Sequence, residues 1–127
     1  MKRDMELIRE ILLTVEEKYV DTWLHNNEIQ IDGYDMKIIG YHCAILHDAG
    51  MIYDYEGQYG DGELLQFGVG RLTWEDHEFL DKIKSDTVWN KTKDTINAKG
   101  IPFVLDAVKE IATAVTTAMI KTAILGL

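Results

Sequence analysis

Tyr41-His42-Cys43-Ala44-Ile45-Leu46-His47-Asp48-Ala49-Gly50-Met51-Ile52 is the stretch on which the fold turns. Its apolar residues recur at helical spacing, and Gly50 stands where a helix needs a residue able to turn left-handed. Met51-Ile52-Tyr53-Asp54-Tyr55 then alternates as a strand does. Working back, Asp35 is placed to cap a helix over 36–49. Ile38, His42, Ile45, Leu46 and Ala49 form its expected inner face. Lys37, Gly40, Tyr41, Ala44, His47 and Asp48 are expected outside.

Beyond this helix, strands are expected at 51–55 and 64–69, separated by a glycine-bearing loop at 56–63. Together they make a hairpin with a loose tip. Before it, Met5, Ile8, Ile11, Leu12, Val15 and Tyr19 mark a first helix over residues 4–18, with Asp4 as its cap. Trp23 and Leu24 read as buried. Glu28-Ile29-Gln30-Ile31-Asp32 alternates and reads as a short strand ended by Gly33. Thr73-Trp74-Glu75-Asp76 has capping-box spacing and opens a further helix. Another helix follows over 87–98, and the last spans about 103–125 with Pro102 just inside its start. The last helix has no charged residue between Ile111 and Ile120, so it calls for burial on more than one face.

Composition limits the function. The chain has 127 residues, enough for one domain with a real core. Its single cysteine, Cys43, excludes an internal disulfide. No signal-type run and no membrane-length apolar stretch is present, so a cytoplasmic location is expected. Acids number 22 against 13 bases, a formal charge of −9. That balance disfavours generic affinity for a phosphate backbone and suits a protein partner.

The order helix, strand, helix, hairpin, helices predicts an α+β fold: a winged-helix-like domain with additional C-terminal helices. Residues 1–100 would form that domain with its trailing helices. Residues 101–127 would form an apolar helix used in packing or oligomerisation. One departure stands out. Only 33–50 is available between the first strand and the wing, so the scaffold helix of a usual helix-turn-helix must be very short, displaced into 20–27, or missing.

Three segments also carry a family resemblance: Met1-Lys2-Arg3-Asp4-Met5-Glu6-Leu7-Ile8-Arg9; Tyr41-His42 through Leu46 to Ala49-Gly50-Met51-Ile52; and Arg71-Leu72-Thr73-Trp74, His77-Glu78-Phe79-Leu80-Asp81 and Trp89-Asn90-Lys91-Thr92-Lys93. Together they resemble the short bacterial and prophage proteins of domain of unknown function 2513. The resemblance implies a small winged-helix protein and brings no catalytic residue or cofactor with it.

Candidate chemistry is sparse. His42 and His47 are five apart and point to different helix faces, and no short Cys/His pair exists, so no metal is expected. Cys43 would need an activating base and access; His42 and His47 are near in sequence, but no oxyanion-type glycine loop accompanies them, and it reads as a small core residue. Glu75, Asp76, Glu78 and Asp81 follow from the preference of helix N-termini for acids. Trp74, Phe79 and Trp89 read as a core aromatic cluster. No catalytic residue, cofactor or metal is assigned, and the chain is read as no enzyme.

The expected contacts for nucleic acid or a partner are Lys37, Tyr41 and His47 on the 36–49 helix, Arg71 at the wing base, and Lys91 and Lys93 beyond it. Major-groove readout leans on Arg, Lys, Asn and Gln, and the helix face offers one of these. The preferred reading is therefore a non-enzymatic protein-interaction module that binds a protein partner or itself through 101–127. The alternative is a DNA-binding regulator that uses the 36–49 helix and the wing. No membrane role is expected, because the last helix lacks a basic polar face.

Overall fold

The structure is a computed structural model that describes residues 1–126. It is an α+β fold of five helices, one 3-10 turn and a three-stranded antiparallel sheet. In chain order the elements are α1 (Met5–Lys18), β1 (Leu24–His25), the 3-10 turn (Asn26–Glu28), α2 (Met36–Asp48), β2 (Tyr55–Gly60), β3 (Glu63–Val69), α3 (Trp74–Ile83), α4 (Asp86–Ala98) and α5 (Leu105–Leu125). Contacts divide the chain into two units, Met1–His77 and everything from Glu78 onward.

In the first unit α1 buries Leu7, Ile8, Ile11, Leu12 and Val15. It packs on α2, which in turn packs on the hairpin strands, and the core includes Ile39, Cys43, Leu46, Ile52, Phe67 and Val69. The start of α1 is tied to α2 by polar contacts. The Asp4 amide donates to His42 Nε2 at 2.9 Å, and His42 Nδ1 lies 2.8 Å from the Ile38 carbonyl. An acceptor at Nε2 and a carbonyl at Nδ1 require the neutral ring protonated at Nδ1. His42 is thus the hydrogen-bonded core histidine expected from its place on the inner helix face. Asp4 itself caps α1 by accepting from the Leu7 amide at 3.1 Å, and it accepts a 2.7 Å bond from the Tyr34 hydroxyl.

Sheet order is β1-β3-β2. The hairpin closes through Asp61 and Gly62, with φ of 53° and 80°, between the paired residues Gly60 and Glu63. Two successive positive φ values in a two-residue loop match the twist of a hairpin. The segment expected as a loose tip is therefore strand and tight turn. Three glycines had suggested a loop, but two of them, Gly57 and Gly60, lie within β2. Residues 51–54 still pair with 70–73, through Tyr53 N to Arg71 O at 2.8 Å, Gly70 N to Asp54 O at 2.8 Å and the Ile52–Leu72 bridge.

Other expectations are corrected. No strand forms at 28–32. Leu24 and His25 already pair with Val69 and Gly68, and the Asn26 side chain accepts from the Phe67 amide at 3.1 Å. The chain then turns away, and Ile29 is buried without any ladder. Gly40 lies inside rather than outside, because the hairpin packs on α2. A Cβ there would sit 2.5 Å from Leu64 Cδ2 and 3.0 Å from Phe67 Cδ1. Ala49 is exposed at the helix end. Gly50 (φ 75°) closes α2 as read, with Met51 N donating to Leu46 O at 2.9 Å.

In the second unit Phe79, Leu80, Ile83, Val88, Trp89, Ile96, Val108 and Ala112 are buried. Trp89 and Phe103 lie 5.8 Å apart, and α4 packs on α5. Trp74 is 76% exposed, so it is no part of a core aromatic cluster. Pro102 precedes α5 by three residues instead of opening it.

Burial pushes the Asp4 carboxyl up. The hydrogen bonds from the Tyr34 hydroxyl and the Leu7 and Glu6 amides outweigh this and hold it below its ordinary value. A depressed carboxyl contributes stability that is present above its unfolded value and lost as pH falls through the folded one. Tyr34→Phe should therefore cost about 1 kcal/mol near neutral pH, discounted for the partial exposure of the pair. The deficit should shrink as acid titrates Asp4. Urea unfolding of both proteins across the acidic range checks this.

Candidate functional site

Three surfaces present chemistry to solvent. The first is the outer side of α2 with the base of the hairpin. Lys37 and Tyr41 are four residues apart and share a helix face. The Lys37 ammonium lies 3.3 Å from a Glu63 carboxylate oxygen on β3, so much of its charge is already answered within the chain. Tyr41 is 39% exposed. His47 is exposed at the end of α2, its ring 6.5 Å from that of Tyr55. Arg71 stacks its guanidinium 4.2 Å from the centre of the Tyr53 ring. The expected residues of this unit thus do lie on the surface. Lys37, His47 and Arg71 each lie against a neighbour from the hairpin or its base, and among the described residues no row of basic side chains forms there.

Lys91 and Lys93 belong to α4 in the second unit. Lys93 lies 5.6 Å from the Trp89 ring centre, and Lys91 borders a groove between α4 and α5.

That groove, with the far end of α5, is the second surface. Thr95, Val115, Ala118, Met119 and Thr122 help line a volume of about 560 Å³. Val108 and Ala112 are the buried residues of α5, whereas every residue over 117–126 is exposed. Ile120, Ile124 and Leu125 are among them, Ile124 at 76%.

The third surface was missed by sequence reasoning. It is the face of the sheet turned away from Phe67. Glu56 pairs with Gly68 and Gln58 with Gln66, so these four positions share one face. His25, opposite Gly68, joins them. Trp23, which the sequence had placed in the core, lies over the bare Gly68 backbone, where an added Cβ would meet its Cε3 at 3.1 Å. The indole is 39% exposed and walls a hollow of about 350 Å³. Alternation of Glu56-Gly57-Gln58 was the available signal; the glycines masked it.

Among the described residues, no three His, Cys, Asp or Glu side chains converge as metal ligands, and no helix is long and apolar enough to cross a membrane. Cys43 is wholly buried, and that burial pushes its thiol up to about 12.

The model of a family described as "Hypothetical protein (DUF2513)" matches residues 2–102. The chain belongs to this family. A Haemophilus influenzae protein described as "Uncharacterized protein" is 36% identical over 122 residues, which covers 94% of this chain and 99% of that one. No solved structure matches. The DUF2513 match takes in the α2 face, the hairpin and the Trp23 hollow, and it ends before α5. The similarity to the Haemophilus protein extends over nearly all of the chain.

A thiol held near 12 and shielded from solvent should not react as a nucleophile. Iodoacetamide at mildly alkaline pH should leave Cys43 of the folded protein unmodified and alkylate it fully in denaturant. Mass spectrometry reads the difference directly.

Proposed function

We propose that this DUF2513 protein is a non-enzymatic interaction module on a winged-helix-like scaffold, and that α5 binds a second copy of itself. The scaffold reading draws support from strand order. β1 precedes α2, the hairpin follows it, and β1 joins the sheet beside the hairpin's second strand. In that reading the scaffold helix of a helix-turn-helix is reduced to the single turn Asn26–Glu28.

The observation that carries the interaction is the run of exposed residues at 117–126. An isolated end of helix with this apolar content is poorly supported in water. A partner that covers Ile120 and Ile124 would stabilise it. Charge placement favours another α5 in antiparallel register. Glu110 and Lys121 are exposed near opposite ends of the uncharged stretch. In an antiparallel pair centred near Val115 and Thr116, each Glu110 comes level with the other copy's Lys121. The small residues Thr113, Ala114 and Thr117 allow close approach between them. A lipid surface suits this helix less, since Lys121 is the one base on its exposed end.

Light scattering should give a dimer for the full chain and a monomer for an Ile120→Ser, Ile124→Ser variant. Glu110→Lys alone should weaken the dimer, and adding Lys121→Glu should restore it. A monomer mass for the full chain over the whole concentration range would overturn the proposal.

The alternative is a DNA-binding regulator that inserts α2, and it is favoured by the scaffold order. Against it stand the Lys37–Glu63 pair, the acidic Glu56 and Asp61 of the hairpin, and the net charge of −9. A gel shift with fragments flanking the protein's own gene should show no retarded band even at low salt. A specific band would move the assignment to DNA.

A further inference from the structure

We propose that the outer face of the sheet is a binding site for an arginine side chain presented by a basic protein partner. The hollow combines the three features a guanidinium uses. Trp23 supplies an aromatic wall, a flat π face being a good partner for the planar cation. Glu56 supplies a carboxylate on the same face of the sheet. Among the described residues no cation pairs with it. Gln58 and Gln66 supply the third feature.

Gln66 Nε2 donates to Gln58 Oε1 across the strands. Whichever way the two amides are oriented, that bond uses one carbonyl and one NH2 and leaves one of each for a ligand. A guanidinium has five N–H donors and no acceptor, so a carboxylate with an additional carbonyl matches it. Gly68 keeps the floor of the hollow at backbone level and lets the indole lie close to the sheet.

Charge selects among ligands that stack on tryptophan. A nucleotide brings phosphates toward Glu56 and toward a chain of net charge −9, whereas an arginine is drawn in by both. Lysine would gain the carboxylate but not the planar stacking or the forked contact. A partner chain is favoured over a free small molecule because the hollow lies open on the sheet face, with the side chains of Thr22 and His25 at its border to meet flanking backbone.

The test follows the indole Nε1–H resonance of Trp23, assigned with Trp23→Phe, in the full chain. The probes are a capped Gly-Arg-Gly peptide, its lysine and citrulline counterparts, free arginine and adenosine monophosphate. Saturable shifts are expected with the arginine peptide, weaker ones with lysine and none with citrulline. Glu56→Gln, on an exposed strand position that the core does not use, should weaken the arginine peptide roughly tenfold.

An unmoved indole, equal shifts with the arginine and citrulline peptides, or unchanged binding by Glu56→Gln would overturn the proposal. A response to free arginine but not to the capped peptide would replace the protein partner with a metabolite. A stronger response to adenosine monophosphate would make the hollow a base-stacking site. Because none of these readouts involves α5, they stand or fall apart from self-association.

Discussion

A missing side chain at Gly40 sets the geometry of the first unit. The hairpin lies on α2 because Leu64 and Phe67 can approach the helix backbone where any Cβ would intrude. From that approach follow the contact of Lys37 with Glu63 and the stacking of Tyr55 on Phe67, whose ring centres are 6.1 Å apart. The opposite face of the sheet is consequently left to solvent. A winged-helix reader of DNA needs its helix face basic and unencumbered. Here the hairpin supplies an acid to the one lysine on that face. The same contact that completes the core therefore engages the α2 face and leaves the far side of the sheet open.

Much of this was legible in the sequence where one local rule acted alone. α1, α2 and the later helices follow from spacing of apolar residues, with Asp4, Asp35 and Thr73 as caps. Each accepts from a backbone amide in its first turn, Thr73 from Asp76 N at 3.2 Å. The closing role of Gly50 was equally plain, because a left-handed residue after a helix is a local requirement. The burial of His42 followed from its helix face, and that of Cys43 from its reading as a small apolar residue.

What escaped depended on pairing between distant residues. Glu28-Ile29-Gln30-Ile31-Asp32 has the alternation of a strand but no edge to join, since Leu24 and His25 hold it already. Gly57 and Gly60 read as loop residues until their strand partners are known. Trp23 read as buried beside Leu24, yet it lies against a glycine on the outer face. Lys37, Tyr41 and His47 were legible as surface residues, while the pairing of Lys37 with Glu63 needed the register of the hairpin. The α5 surface was visible in sequence as an excess of apolar residues; which of them the domain covers was not.

The turn at Asp61 and Gly62 has a consequence for how the molecule acquires its shape. It joins adjacent strands through two residues already suited to the required backbone, so β2 and β3 can find each other with little loss of loop entropy. β1 must instead reach Val69 from the other side of α2 in the chain, a long closure for two residue pairs. The hairpin is the part of the sheet that local sequence can nucleate, whereas β1 is held by a pairing distant in the chain. The Trp23 hollow needs both, so it depends on distant pairing as much as on the local turn.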